Sequence, residues 1–299
     1  MNYHSSVLLK ESVAALAIKE NGVYVDVTYG GGGHSGEIIK RLGPKGKLFA
    51  FDQDRDALAN AMDDERFTLI LGNFRLISGF LKFYKVRRVD GILADLGVSS
   101  HQFDTAKRGF STRFDTDLDM RMNRKSAVSA KKIVNEYSEE ELSDIFSSYG
   151  ELRNSRKIAK TIVEERKNKK IETSFQLKQV LKRYIPVSKE HKMTAQLFQA
   201  IRIEVNKELE ALKDFLRQVP DLLKNDGRLS VISYHSLEDR LVKRFIKTGT
   251  FSGEVEKDFF GNTNEPLKKV GKLITPAPEE IKINNRARSA KLRIATLNT

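Results

Sequence analysis

The chain has 299 residues, of which 39% are apolar, 53 are Lys or Arg, 40 are Asp or Glu and none is Cys. No apolar run approaches the roughly 20 residues that span a bilayer, and the absence of cysteine excludes disulfides and cysteine-ligated zinc together with thiolate-dependent methylation of pyrimidine C5. The net charge of +13 favours a polyanionic partner, because neutralised phosphates release counterions.

The first residues lack a basic segment followed by an apolar stretch, so we expect no signal peptide and a cytoplasmic location. Strands and helices then alternate along the first third of the chain, which favours a parallel sheet covered on both faces. Asp54 is expected to cap the second helix. The expected strands are 23–28, 47–51, 67–71 and 89–93, and the expected helices are 34–42, 54–62 and 74–84.

Helical spacing replaces this alternation after residue 104. Ser138 and Glu141 match a capping box. A helix from Leu177 to Tyr184 is expected to stop at Pro186, and one longer helix is expected to carry the apolar residues from Phe198 to Leu216.

The strand pattern returns at 227–233, followed by a helix at 237–248 and a last strand at 291–295. The segment 249–278 is rich in Gly, Pro, Asn and Lys, and it is expected to be a mobile loop. The simplest architecture is an α/β domain, formed by 1–104 and 206–299, that is interrupted by an all-helical insertion at 105–205.

A glycine cluster lies between the first strand and the first helix of this alternation. Gly31, Gly33 and Gly36 satisfy the G-x-G-x-x-G pattern. Glycine allows close approach of the backbone to a ligand, and the helix N-terminus offers free N–H groups. Asp52 follows about 20 residues later at a strand end, where an acid can hold ribose hydroxyls. The context predicts an adenosine-containing cofactor, either NAD or S-adenosylmethionine.

Asp95 lies at the carboxyl end of the fourth strand, where open α/β sheets bind ligands. Its carboxylate could accept a hydrogen bond from an amine of the cofactor or of the substrate. An ordinary acid that caps a turn would look the same.

Sequence blocks spread along the whole chain carry a more specific signal. They are VLLKE at 7–11, GGGGHS at 30–35, FDQD at 51–54, DLGVSS at 95–100 with Gln102, RGFS at 108–111, DLDMRM at 117–122, FQAIRIEVN at 198–206, the segment 227–240, and RARSAKLR at 286–293. With these blocks the chain resembles the family that methylates the exocyclic N4 of a cytidine in small-subunit ribosomal RNA. Ser6, Leu152 and Asn285 depart from the residues usual in that family, which affects only local turn geometry.

The resemblance implies a Rossmann-like class I methyltransferase sheet with an inserted all-helical domain. It implies S-adenosylmethionine as cofactor, 16S ribosomal RNA or the small ribosomal subunit as partner, and no metal. The insertion at 105–205 is then expected to help dock RNA, while 1–104 and 206–299 bind the cofactor. The cofactor contacts carried over by position are Gly32, Gly33, His34, Asp52, Phe74, Asp95 and Gln102.

Most N-methyltransferases of exocyclic amines carry a (D/N)PP(Y/F) tetrad after the fourth strand, where this chain has DLGV at 95–98. The candidate catalytic residues are therefore Asp95 and His235, of which His235 would orient the base or take up the released proton. Tyr234 is a candidate for stacking on the base. The candidate RNA contacts are Arg108, Arg113, Arg121, Arg202, Arg240, Lys243, Arg244, Arg286 and Arg288, each of which could equally be a solvated surface charge or part of an internal ion pair.

Two other functions fit parts of the pattern. An NAD-dependent oxidoreductase would also use the G-x-G-x-x-G loop and Asp52, and a non-catalytic RNA-binding protein would explain the positive charge. The sequence leaves the oligomeric state open, including a homodimer.

Overall fold

The computed structural model describes residues 6–182, 188, 190–255, 261, 263 and 265–298. The chain forms two compact units. One, the helical unit, is Val98–Glu208, and the other, the sheet unit, comprises the chain up to Gly97 and from Leu209 onward. The helical unit is slightly longer than the expected 105–205.

The sheet unit contains seven strands in the order β3-β2-β1-β4-β5-β7-β6. Strands β1 to β5 are parallel to one another, and β7 runs antiparallel between β5 and β6. This is the expected Rossmann-like sheet interrupted by a helical insertion. The strands are β1 Val23–Asp26, β2 Lys47–Asp52, β3 Phe67–Leu71, β4 Val89–Asp95, β5 Leu223–Ser233, β6 Leu267–Ile274 and β7 Lys291–Leu297.

Helices cover both faces of this sheet, which explains why β4 is buried along nearly its whole length. On one face the core contains Phe51, Ile92 and Phe215; on the other face Val13 and Ile38 pack with residues of the central strands. The helices of this unit are α1 Leu9–Ala15, α2 Gly33–Arg41, α3 Ile77–Phe83, α10 Glu208–Leu222, α11 Ser236–Thr248 and α12 Pro278–Ile283. The first residue of α10, Glu208, is assigned to the helical unit.

The helical unit has its own core, in which Leu142, Phe146, Leu177 and Ile201 are fully or almost fully buried. Its helices are α4 Ser100–Asp104, α5 Ala130–Glu136, α6 Glu139–Ser148, α7 Ser155–Asn168, α8 Ser174–Lys182 and α9 Glu190–Asn206. The Ser138–Glu141 capping box of α6 is confirmed: the Glu141 N–H donates to Ser138 Oγ at 3.1 Å, and the Ser138 N–H donates to the Glu141 carboxylate at 2.7 Å.

Two local expectations differ from the structure, and a third falls outside the described residues. The segment expected as a helix at 54–62 is a 3₁₀-helix, Arg55–Asn60, although Asp54 does cap it by accepting the Asp56 N–H. The helix expected across 198–216 is two helices, α9 and α10, because Lys207 between them adopts a left-handed backbone with φ 50°. The apolar spacing continues across this break, since each helix buries one face. Tyr184 and Pro186, expected at a helix end, lie outside the described residues.

The segment 249–278 was expected to be a mobile loop, but its described residues include the edge strand β6, which pairs with β7 from Leu267 to Ile274. Three of the eight residues of β6 are lysines, a charge that protects an edge strand from pairing with other chains. Residues 256–260, 262 and 264 of this segment lie outside the described part of the chain. Among the described residues, none of the helices combines the length and the apolar character needed to cross a membrane.

Candidate active site

Three aspartates end neighbouring parallel strands of the sheet unit. Asp26 closes β1, Asp52 closes β2 and Asp95 closes β4. The chain crosses from one side of β1 to the other between β3 and β4, so the carboxyl ends of β1 and β4 flank the switch point at which open α/β sheets bind ligands. The topology therefore brings the predicted residues Asp52 and Asp95 to one edge of the sheet.

The Asp52 carboxylate holds the glycine loop that follows β1. Its Oδ2 accepts the Gly30 N–H and its Oδ1 accepts the Asp54 N–H, both at 2.8 Å. Burial raises the pKa of Asp52 to about 6, although these two backbone bonds oppose the shift. Each carboxylate oxygen has a second lone pair, so Asp52 can still accept bonds from the two hydroxyls of a ribose.

The glycines of this loop are required by the protein's own packing. Gly32 has φ 78°, a left-handed backbone, and a Cβ there would lie 2.7 Å from the Tyr29 hydroxyl. A Cβ on Gly33 would collide with Ser6 Oγ. Close approach to a ligand was the expected reason for both glycines. The structure shows steric reasons that already suffice, and it leaves the cofactor contacts of Gly32 and Gly33 as predictions.

Asp26 is fully buried and links the glycine loop to β1. Its carboxylate accepts the Ser35 hydroxyl at 2.7 Å and the Thr28 N–H at 3.1 Å. Burial raises the pKa of Asp26 above its usual range. Thr28 in turn accepts the Asp95 N–H through its Oγ1 at 2.6 Å, so one short network joins the ends of β1 and β4. Sequence reasoning did not single out this acid, although an aspartate inside a buried strand directly before a glycine loop was a usable signal.

Asp95 contacts two side chains from different elements. Its Oδ1 accepts the Tyr234 hydroxyl at 2.7 Å, and its Oδ2 lies 3.8 Å from His34 Nδ1. His34 Nε2 lies 3.1 Å from the Val7 carbonyl oxygen, which can only accept, so the Nε2 proton points to Val7 and Nδ1 faces the carboxylate. Burial raises the pKa of Asp95 to about 6, against the lowering effects of His34 and Tyr234. The Asp95 side chain remains 22% exposed and can receive a further donor.

His235 caps α11. Its Nδ1 accepts the Glu238 N–H at 3.4 Å, and Glu238 Oε2 accepts the Tyr234 N–H at 2.9 Å. His235 Nε2 lies 3.1 Å from Glu238 Oε1 but, among the described residues, forms no hydrogen bond with suitable angles. The structure thus gives His235 a capping role, and its part in proton transfer remains a prediction. The stacking of Tyr234 on a base is also a prediction, since the structure shows only its bond to Asp95.

Phe74 and Gln102 have structural roles as well. The Phe74 ring packs edge-on against Phe215, with ring centroids 5.6 Å apart. Gln102 lies in the helical unit and completes a capping box with Ser99, whose N–H it accepts at 3.1 Å. These contacts explain both side chains without a ligand, so the cofactor contacts of Phe74 and Gln102 remain predictions.

The basic residues predicted to contact RNA fall into three groups. Arg108 is only 1% exposed, and its guanidinium donates to the carbonyl oxygens of Arg121 and Met122; this burial corrects the expected phosphate contact. Arg121 and Arg202 form internal ion pairs, the first with Asp119 and the second with Glu208. The structure places the remaining candidates at least partly in solvent: Arg113, Arg240, Lys243, Arg244, Arg286 and Arg288.

Comparison with known proteins gives matches along the whole chain. A model of the MraW methylase family matches residues 1–298. Ribosomal RNA small subunit methyltransferase H from Flavobacterium johnsoniae is 63% identical over 295 residues, which are 99% of this chain and 98% of that protein. The protein of the same name from Christiangramia forsetii is 62% identical, with the same coverage of both chains.

A solved rRNA methylase from Streptococcus thermophilus aligns over 100% of this chain and 99% of its own, at 11% identity and a TM-score of 0.44, a likeness too distant to bear on function. The family model and the relatives, in contrast, span nearly every residue described above. The chain belongs to the MraW methylase family.

Proposed function

We propose that this methyltransferase transfers a methyl group from S-adenosylmethionine to the exocyclic N4 of a cytidine in small-subunit ribosomal RNA. Relatives named ribosomal RNA small subunit methyltransferase H match 99% of the chain at 62–63% identity, and S-adenosylmethionine is the cofactor of such an enzyme. Neither an NAD-dependent oxidoreductase nor a non-catalytic RNA-binding protein is favoured beside this family membership. The observation that carries the chemistry is the partly buried Asp95 carboxylate at the end of β4.

The residues at the strand ends fit the cofactor. Asp52 has lone pairs left for a ribose diol after accepting its two backbone N–H groups. When bound, S-adenosylmethionine supplies an electrophilic methyl group on a positively charged sulfur, which suits an edge of the sheet where three acids lie. We infer that Asp52 binds the ribose, and that Gly32, Gly33, His34, Phe74 and Gln102 complete the cofactor contacts.

Asp95 acts on the amine. The lone pair of cytosine N4 is delocalised into the ring, so an acceptor for an N4–H bond helps the nitrogen to become pyramidal. The Asp95 carboxylate accepts that bond, while the Tyr234 hydroxyl fixes its orientation from the other side. Methyl transfer from the cofactor to N4 would make the nitrogen cationic, and the nitrogen would then lose a proton. A carboxylate with a pKa of about 6 is a competent acceptor of this proton near neutral pH, and His235 is the second candidate.

An RNA substrate places further requirements on the enzyme. The target base must be unstacked to reach the strand ends, and positioning it against the methyl group supplies much of the rate enhancement. The helical unit is proposed to dock the small-subunit RNA, and the cytoplasm is proposed as the place of action because ribosomal subunits lie there. Analytical ultracentrifugation can test whether the protein forms the homodimer that the sequence leaves open.

The test is methylation of unmodified small ribosomal subunits, followed by mass spectrometry of the released nucleosides. We expect N4-methylcytidine from the wild type and a strong loss with Asp95→Asn. Asp90→Asn is the matched control, because Asp90 lies in the same strand but forms ion pairs with Lys19 and Lys224 at its other end. A methyl group at another atom would refute the proposed function. If Asp95→Asn turned over normally but bound the cofactor weakly, the role of Asp95 would be to bind the cofactor and not the amine.

A further inference from the structure

A groove lined by lysines lies at the outer edge of the sheet unit, between α11 and the strands β6 and β7. Its cavity volume is about 430 Å³. Ile246, Leu267 and Ile294 are buried and form an apolar floor. Five lysines surround this floor, and we call the feature the lysine groove: Lys243 and Lys247 on α11, and Lys268, Lys269 and Lys272 on β6.

The positive charge of the lysine groove is largely uncompensated. Six of its twelve lining residues are Lys or Arg, against 53 of 299 in the chain. The arginine, Arg293, is neutralised by a bidentate pair with Asp239. The lysines are all exposed, and within the described part of the chain none of them forms an ion pair. Of the residues that the structure describes, Glu265 is the single acid that lines the groove.

Protection of the sheet edge explains only part of this arrangement. Lysines on an edge strand discourage pairing with other chains, which accounts for those on β6. It does not account for Lys243 and Lys247, which lie on α11 and, together with Ile246, share one face of that helix by their spacing. Lysines from two elements around one cavity repel each other, and a bound anion relieves that repulsion.

The chemistry of the groove indicates which anion fits. Among the described residues its lining contains no aromatic side chain, so this part of the groove lacks the platforms on which nucleic acid bases stack. Flexible ammonium groups above an apolar floor suit a run of phosphates with their riboses. β6 lies three strands from β4 in the sheet, a lateral distance of roughly 14 Å at about 4.8 Å per strand, so the occupant is distinct from the base at Asp95.

We propose that the lysine groove binds the phosphate backbone of the ribosomal RNA outside the target nucleotide, without reading its sequence. This inference rests on the proposed function, because the RNA that fills the groove is the RNA that is methylated. The groove adds affinity and orientation, and it takes no part in cofactor binding.

The experiment compares the wild type with three variants for binding of a fluorescein-labelled uridine dodecamer and of unmodified small ribosomal subunits at several salt concentrations. The groove variant carries Lys243→Ala, Lys247→Ala, Lys268→Ala and Lys272→Ala. The control variant removes the same charge from exposed lysines of the sheet unit outside the groove, with Lys45→Ala, Lys47→Ala, Lys82→Ala and Lys85→Ala. A fourth protein with arginine at the four groove positions tests whether charge alone is needed.

For the groove variant we expect the slope of log affinity against log salt to become shallower by up to about 3, since each lost phosphate contact removes about 0.7. The control variant should change little, the arginine protein should retain the wild-type slope, and all should bind S-adenosylmethionine equally. Equal slopes for the groove and control variants would overturn the proposal. The proposal would also be overturned if the groove variant bound the RNA dodecamer normally but ribosomal subunits weakly, because the groove would then bind a ribosomal protein. A wild type that methylates no ribosomal RNA would instead refute the proposed function.

Discussion

Replacement of Asp52 by Asn should separate cofactor binding from folding. At neutral pH the folded protein keeps this carboxylate charged against a pKa raised from 3.8 to about 6, which costs about 3 kcal/mol at 1.36 kcal/mol per unit. Asn removes that cost, but it leaves either the Gly30 or the Asp54 N–H without its acceptor, at about 1–3 kcal/mol. The two changes nearly cancel, so the free energy of unfolding should change little.

The affinity for S-adenosylmethionine should fall much more. Loss of hydrogen bonds to a charged group costs about 1.5–3 kcal/mol, or roughly ten- to hundredfold in Kd. Calorimetry from about pH 5 to about pH 8 should also show that wild-type affinity declines below pH 6, where Asp52 becomes protonated, and that this decline is smaller in Asp52→Asn. Asp63→Asn is the control, because this acid lies in an exposed position of the following loop. Wild-type affinity in a folded Asp52→Asn protein would refute the assignment.

Three further outcomes can be measured. A folded-state pKa raised from 3.8 to about 6 makes the unfolding free energy of the wild type decrease as the pH rises between these two values. Asp95→Asn should therefore be more stable than the wild type near neutral pH, and this difference should disappear as the pH falls below about 4. Urea denaturation at several pH values checks this, and a pH-independent difference would contradict it. Tyr234→Phe removes the bond that lowers the pKa of Asp95, so the acid limb of the kcat profile should move to higher pH, and an unmoved limb would exclude a positioning role. A folded protein in which a flexible linker replaces 105–205 should still bind S-adenosylmethionine but lose most rRNA methylation. Full methylation would contradict the RNA-docking role of this segment. Loss of cofactor binding would show that the segment contributes to the cofactor site.

The sequence predicts the sheet and the position of the acids because both follow from local rules. Buried strands alternate with helices, and parallel strands place their carboxyl ends together. Asp52 and Asp95 could therefore be assigned to one edge of the sheet before any coordinates were known. The alternating pattern also predicts the return to strand structure in β5 and β7, on the far side of the helical unit.

Contacts that depend on register could not be predicted. Tyr234 reaches Asp95 across 139 residues, only because β4 and β5 align Asp95 with Ile232. Strand β6 has no regular apolar alternation, since its stability comes from pairing with β7 at the sheet edge. Arg108 resembles a surface cation in the sequence, and only the packing of the helical unit shows that its guanidinium serves buried carbonyl groups.

Two groups of aspartates in this protein differ in their partners. Asp90, Asp119 and Asp239 form ion pairs with Lys or Arg, which lowers their pKa, and such acids stabilise the fold. At the strand ends, Asp52 and Asp95 form no ion pair with a Lys or Arg among the described residues, and burial raises the pKa of both to about 6. Buried acids without a fixed cation reduce stability and concentrate at functional sites. A cationic sulfonium and an amine that becomes cationic during transfer would supply the missing positive charge at this edge of the sheet. The proposed chemistry therefore explains why the fold retains these carboxylates where they destabilise it.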